Sequence, residues 1–304
     1  MQAIVFEEFG GPEVLRFTAV EEPHPGPGEV RVAIRAIGVN PMEFKVRRGW
    51  FEAFVPTVLP SVPGVEAAGV VDEVGAGVTA FAVGDEVVGW VKGGSYAQYA
   101  IADNVVLKPA GLSWEQAVAL PVAGETADRV LRELDVEKGE TLLIHGAAGA
   151  VGTLAVQLAV ARGVTVVGTA SAANHAYLRE LGAVPVTYAE GLVERVRQAA
   201  PAGVDAVFDA AGFGALPDSI ELRGGTGRIV TVADVAAQGL GVALSLGAST
   251  TPGEVADVVG EQLRGLADGT LRVRIDEVLP LAEAAKAQDR SEGGHARGKL
   301  VLVP

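Results

Sequence analysis

The 304-residue chain contains no cysteine. That excludes disulfides, thiolate metal sites and cysteine nucleophiles together. Histidine is scarce as well: His24, His145, His175 and His295 stand singly, so no imidazole cluster offers itself to a metal. Positive charge is in deficit, with 24 Lys and Arg against 38 Asp and Glu and a net charge of −14. Such a surface repels phosphate polymers and anionic lipid, so nucleic acid is not an expected partner. No apolar run approaches the roughly 20 residues of a membrane span. Met1–Phe6 lacks the basic region and apolar core of a signal peptide, and reads as the first strand of a mature cytoplasmic protein. What remains is a chain 49% hydrophobic, with 40 glycines. It can bury a large core of short side chains, at a length that suggests two domains.

The most informative stretch is Thr141-Leu-Leu-Ile-His-Gly-Ala-Ala-Gly-Ala-Val-Gly-Thr153. An apolar strand, Thr141 to Ile144, runs into Gly146, Gly149 and Gly152, and then into a helix from about Val151 to Ala161. Strand, glycine turn and helix in this order make a pyrophosphate site, because glycines let backbone approach the phosphates and unpaired amides at the helix N-terminus face the charge. The spacing is G-x-x-G-x-x-G, and an ordinary tight turn is the alternative. Gly163 ending the helix and a following strand, Val164 to Thr169, favour the dinucleotide. The loop residues expected to hold it are Gly146, Ala148, Gly149, Ala150, Val151 and Gly152.

An NAD site usually places Asp or Glu at the end of the second strand to bind the ribose hydroxyls. Here the strand ends Thr169-Ala170-Ser171-Ala-Ala-Asn174-His175, with no acidic residue between Glu140 and Glu180. That absence favours NADPH, with NADH left open. Ser171 and Asn174 are expected to bind the cofactor, although no Lys or Arg stands between them and His175 and Arg179 are the nearest cations.

Residues 1 to about 110 read as short strands broken by Gly and Pro, such as Glu29–Arg35, Ala67–Val74 and Asp85–Trp90, the pattern of a small barrel. Ser113-x-x-Gln116 is a capping box opening a short helix that Pro121 stops. From about 121 the pattern alternates helix and strand, with strands at Val184–Tyr188, Ala206–Phe208, Gly227–Val232 and Val242–Leu246. Alternation means a doubly wound parallel sheet. A helix near Pro252 to Ala267 and strands at Leu271–Ile275 and Lys299–Val303 return to the first domain. The predicted division is 1–120 with 253–304, and 121–252.

Several motifs in fixed order carry a resemblance: Phe9-Gly-Gly-Pro-Glu-Val-Leu15, Gly38-Val-Asn-Pro41, Pro63-Gly-Val-Glu-Ala-Ala-Gly69, Val74-Gly-Ala-Gly-Val78, Gly94-Ser-Tyr-Ala-Gln-Tyr99, the glycine loop and Gly298-Lys-Leu-Val-Leu302. Over nearly its whole length the chain resembles the medium-chain dehydrogenase/reductase superfamily, in its zinc-free quinone oxidoreductase (zeta-crystallin-like) branch. The resemblance implies an α/β protein with a GroES-like β-barrel domain, a Rossmann domain and an active site in the cleft between them. It implies Asn40 beside the nicotinamide and Thr126 near the carboxamide, with Lys45 at a position where relatives carry Tyr or Lys. It also places Tyr188 by the adenosine. Taken alone, Asn40 reads as a turn residue before Pro41, Thr126 as a helix-interior threonine, Lys45 as a solvated lysine and Tyr188 as a strand aromatic. A homodimer is implied too, although the segment between Val232 and Pro252, which lines the pocket and pairs subunits in relatives, is shorter here.

Departures from the family pattern shape the expected chemistry. Gly64-Val65-Glu66 stands where the zinc branch has Gly-His-Glu, and Asn40 where it has its first cysteine ligand, so no metal is expected. Phe51, in Gly49-Trp50-Phe51, replaces a phenol that can donate a proton in relatives. Asp128 replaces an aromatic and should make the cleft more polar or narrow its substrate range. The resulting expectation is hydride transfer from NADPH to a quinone or activated α,β-unsaturated carbonyl, without metal. An enoyl-thioester or polyketide enoyl reductase is the alternative, for which Arg47 and Arg48 would be the anion-binding pair. A nucleotide-binding protein with little turnover is the other.

Overall fold

The structure is a computed structural model and describes residues 1–52, 56–247, 251–294 and 296–304. His295 lies outside the described residues. The chain divides into two compact units, Met1–Val122 with Pro252–Pro304, and Ala123–Thr251.

In the first unit β1 (Gln2–Val5) pairs antiparallel with β2 (Arg16–Ala19). Then come β3 (Val30–Val39), α1 (Pro41–Arg47), β4 (Glu66–Val74), β5 (Glu86–Lys92), β6 (Tyr99–Leu107) and the short α2 (Trp114–Val118). The long β3 pairs antiparallel with β4 on one side and β6 on the other, and β5 bridges β4 and β6. Four strands thereby close on themselves, the barrel the strand pattern anticipated. Alternate residues point inward, and Val30, Val32, Val71, Val87, Ala102 and Val105 fill its interior. The Ser113 capping box opens α2 as read, with the Ser113 hydroxyl accepting from the Gln116 amide. Pro121 has a second role that its position hides. It opens α3 (Pro121–Glu133), because proline at a first helical position loses no hydrogen bond.

The second unit runs β7 (Thr141–His145), α4 (Ala150–Ala161), β8 (Thr165–Thr169), α5 (His175–Glu180), β9 (Val184–Val186), α6 (Leu192–Ala199), β10 (Ala206–Asp209), α7 (Leu216–Arg223), β11 (Ile229–Thr231), α8 (Ala237–Leu240) and β12 (Ala243–Leu244). Its sheet has the order β12-β11-β10-β7-β8-β9, with every neighbouring pair parallel. The chain winds outward from β7 in one direction and, after α6, from β10 in the other. The strand order therefore reverses between β7 and β10, where open α/β sheets bind ligands. The core is aliphatic, with Leu143, Val167, Val186, Val196, Val207 and Ile229 buried against one another. The last strand is two residues long where a five-residue strand, Val242–Leu246, is predicted.

The chain then returns to the first unit through α9 (Pro252–Asp268), β13 (Ile275–Pro280), α10 (Ala284–Glu292) and β14 (Lys299–Val303). β14 pairs antiparallel with β3 and parallel with β13. The alternating Leu271–Ile275 is not a strand. Its register with β14 begins at Ile275, where the Lys299 amide bonds the Arg274 carbonyl at 2.8 Å, so tertiary pairing, not alternation, sets where that strand begins. Among the described residues no helix is long and apolar enough to cross a membrane.

Candidate functional site

The three loop glycines of the second unit meet three different demands. Gly146 leaves β7 with φ +72°, a conformation that side chains rarely adopt. A β-carbon on Gly152 would overlap the Gly146 carbonyl oxygen and come within 2.7 Å of the Ala147 Cα, so Gly152 lets α4 pack against its own turn. Gly149, the N-cap of α4, is different. A β-carbon there would meet only the Gly146 carbonyl oxygen, at 3.3 Å. The protein leaves that side open, at the point where the first amides of a twelve-residue helix lack intrahelical partners and no acidic residue occupies the first turn. Ala148 is buried in the turn, and Ala150 and Val151 are half-buried. The arrangement is suited to an anion.

At the end of β8, Ser171 begins a short 3-10 turn, Ala172–Asn174, and the buried Asn174 donates from Nδ2 to the Ser171 hydroxyl at 3.1 Å. No carboxylate follows the strand. The His175 ring is held by Ala170 O at 3.4 Å and the Thr187 hydroxyl at 3.5 Å, while Arg179 is exposed. Tyr188 is exposed, just beyond β9. Its loop is pinned by Arg195, which sequence reasoning did not single out. The guanidinium donates to the carbonyls of Thr187, Tyr188, Ala189 and Glu190 at 2.9–3.4 Å, and Ala189 takes φ +88°. An arginine in the first turn of the helix after a loop was the available signal.

A polar row also escaped the sequence reading. Thr231, Asp209, His145 and Thr169 end four adjacent strands, all buried, across the reversal in strand order. Asp209 accepts from the Thr231 hydroxyl (2.7 Å) and from the amides of Ala211 and Gly212 (3.0 Å each), fixing the loop after β10. His145 Nε2 lies 3.0 Å from the Ser219 hydroxyl and Nδ1 3.4 Å from the Thr169 hydroxyl. Burial pushes its imidazole below the usual range, against the opposing charge of Asp209.

In the first unit Asn40 is the N-cap of α1, forming a capping box with Glu43. Its backbone N–H donates to Glu43 Oε2, and its Nδ2 donates to Glu66 Oε1 at 2.7 Å and to Glu43 Oε1 at 3.2 Å. Lys299, at the head of β14, donates from Nζ to Asn40 Oδ1 at 2.6 Å and pairs with Glu66 Oε1. Glu66 Oε2 accepts the Val122 amide at 2.8 Å. Asn40, Glu43, Glu66 and Lys299 are all buried. Two carboxyls and one ammonium out of water favour one protonated acid, and burial pushes Glu43 up to about 8, against the charge of Lys299. Of these four, only Asn40 was read from sequence as a site residue.

The other expected residues have more local roles. Lys45 sits over the Phe51 ring, 5.7 Å from its centroid. Phe51 is buried and, as expected, carries no hydroxyl. Thr126 is buried in α3 with its hydroxyl 3.5 Å from Glu125 Oε2, not on its own backbone. Asp128 is held by Arg132 at 2.9 Å and Arg162 at 2.6 Å, so its charge is committed to pairing α3 with α4. The Arg47–Arg48 pair also reads differently in three dimensions. Both reach Glu292, at 2.7 Å each, and Arg47 is fully buried, so this pair is a clasp to α10 and not an exposed anion site.

Residues 26–111 match the alcohol dehydrogenase GroES-like domain family, and residues 181–302 match the zinc-binding dehydrogenase family. A quinone oxidoreductase of Pseudomonas aeruginosa is 34% identical over 325 aligned positions, covering 99% of either chain. The chain belongs to the medium-chain dehydrogenase/reductase superfamily, in its quinone oxidoreductase branch. Among solved structures, the quinone oxidoreductase of Escherichia coli complexed with NADPH superposes with a TM-score of 0.88 at 29% identity, and each chain is fully covered (100%). Similarity within the superfamily extends to a pikromycin polyketide synthase component of Streptomyces venezuelae. It is 38% identical over 297 positions, which span 91% of this chain and 8% of that one.

Proposed function

We propose that this medium-chain oxidoreductase uses NADPH to reduce quinones or activated α,β-unsaturated carbonyls without a metal. The observation that carries the reading is the Lys299 ammonium on Asn40 Oδ1 and Glu66 Oε1. By resemblance, Asn40 stands where the zinc branch has its first cysteine ligand, and Glu66 is the last residue of the triplet that reads Gly-His-Glu there. A cation already pairs with the carboxylate, Val65 stands where a histidine would be needed, and the chain has no cysteine, so the residues present do not fit a zinc site. Without a Lewis acid, acceptors whose reduction yields a delocalised anion suit the site best.

The residues of the second unit fit a dinucleotide. Gly146, Ala148, Gly149, Ala150, Val151 and Gly152 would hold the pyrophosphate on backbone amides, and Ser171, Asn174 and Tyr188 the adenosine end. NADPH, when bound, supplies the hydride; the chain's part is to bind it, orient it and exclude water. Asn40, Lys45 and Thr126 are the residues proposed for the reacting end. Phe51 cannot donate a proton, which suits a quinone, whose reduced oxygens can take the second hydrogen from water; Lys45 is the candidate side-chain donor. The decisive assay is oxidation of NADPH and NADH at matched concentrations, with and without 1,4-benzoquinone. Quinone-dependent loss of NADPH absorbance, slower with NADH, is expected. Binding seen by fluorescence with oxidation of neither cofactor would refute quinone reduction and leave enone reduction or a nucleotide-binding role.

Reduction of an enoyl thioester is the second reading, favoured by the polyketide synthase match. The commitment of both Arg47 and Arg48 to Glu292 leaves that pair without a role in holding a phosphopantetheine or CoA phosphate. Crotonyl-CoA in place of quinone separates the two readings.

A further inference from the structure

We infer that Lys299 and Glu66 are positioning residues that fix the Asn40 amide so that, toward a ligand, it offers a hydrogen-bond acceptor and no donor. The inference rests on the proposed reductase reading, in which Asn40 acts at the reacting end. An ammonium can only donate, so the amide atom facing Lys299 Nζ must be the oxygen. Nδ2 then faces Glu66 Oε1 and Glu43 Oε1, and these two acceptors account for its two hydrogens. One lone pair on Oδ1 is the capacity left over. Unlike an ordinary asparagine, whose amide can turn over to suit either kind of partner, this one has its orientation set by a buried charge.

The chemical consequence is specific. Asn40 cannot stabilise the developing oxyanion of a reduced quinone or enone, because it has no hydrogen to give. It can only receive an N–H or O–H. Quinones carry no such donor, whereas the carboxamide of the nicotinamide does, so the group that matches Asn40 is the carboxamide N–H. Lys299 and Glu66 would therefore influence turnover through the orientation of the nicotinamide, with little effect on dinucleotide affinity, which the pyrophosphate and adenosine dominate.

The test compares wild type, K299M, N40A and K299M/N40A with NADPH and with its 3-acetylpyridine analogue, in which a methyl ketone replaces the carboxamide. With NADPH, each single variant is expected to lose kcat about tenfold, the scale of one hydrogen bond, while the fluorescence Kd for NADPH holds within about twofold. The double variant should lose no more than N40A alone. With the analogue, the ratio of wild-type to N40A kcat should fall to about one. Additive losses in the double variant, or a N40A loss that persists with the analogue, would overturn the lock. Should K299M fail to fold around the unpaired Glu66, E66Q/K299M removes both charges at similar volume and carries the same expectation. A wild-type protein that leaves NADPH unoxidised when a quinone and when an activated enone are supplied overturns the reductase reading itself, and the lock with it. Turnover with additive losses overturns the lock alone.

Discussion

The sharpest prediction separates two glycines three residues apart. At Gly149 an added methyl meets one carbonyl oxygen at 3.3 Å and is otherwise unopposed, and its φ of −78° is one alanine adopts readily. Loss of glycine's N-cap advantage and gain of unfolded-state rigidity then roughly cancel, so G149A should change stability by less than about 1 kcal/mol. The methyl would, however, stand on the open side of the helix N-terminus, where phosphate oxygens must come within hydrogen-bond distance of the amides. Losing one charge-assisted hydrogen bond costs about 1.5–3 kcal/mol, which weakens the NADPH Kd by about 10- to 150-fold. At Gly152 the same methyl overlaps backbone that cannot rotate away, and G152A should cost about 1–3 kcal/mol of stability before any ligand is considered. Circular dichroism melts and NADPH fluorescence titrations on both variants decide the matter. A native-like melt with unchanged Kd in G149A would refute the phosphate assignment. A G152A protein as stable as wild type would refute the packing argument.

Three more outcomes follow from charge. Glu43, raised to about 8, keeps its proton in the folded state while the unfolded chain loses it near 4.5. Stability should therefore fall by about 1.4 kcal/mol per pH unit between those values, and E43Q should flatten that slope in denaturant melts; an unchanged slope refutes it. Glu140, held down to about 2 by the Arg228 guanidinium, stabilises the fold above its unfolded value and releases that stabilisation as pH falls from 4.5 toward 2. The ceiling is about 3 kcal/mol, and partial exposure of both side chains lowers it toward 1; E140Q should remove this part of the acid sensitivity, and an acid melt identical to wild type would contradict it. Activity should also be indifferent to EDTA. Loss of turnover in chelator with recovery on adding zinc would contradict the metal-free chemistry.

Much of the second unit was legible in the sequence because its information is local. An apolar run of four or five residues bounded by glycine is a buried parallel strand, and a glycine turn between strand and helix has few other uses. Gly146, Gly149 and Gly152 were identified from spacing alone, though not the division of labour among them, which depends on what each missing β-carbon would strike. Asp209, His145, Thr169 and Thr231 were not legible as a group. Each ends a separate strand, and the sheet order that sets them side by side is decided by the reversal between β7 and β10. Leu271–Ile275 alternates as a strand should, yet the register with the backbone that pairs with it begins at Ile275. Arg47 and Arg48 looked like a free basic pair because Glu292 is over 240 residues away.

Asn40 shows the division most clearly. Read from sequence as a turn residue before Pro41, it is the N-cap of a helix whose capping box with Glu43 is written within four residues. What its amide can do was not readable, because the partners that orient it stand 26 and 259 positions away, on β4 and β14. Periodicity, caps and glycine turns act over short stretches of chain, so the sequence determined many of the elements and the strand, glycine turn and helix at Thr141–Ala161. The direction of a buried hydrogen bond is set by whichever charge folding brings alongside, so only the tertiary structure decided which end of the Asn40 amide faces Glu66 and which faces Lys299.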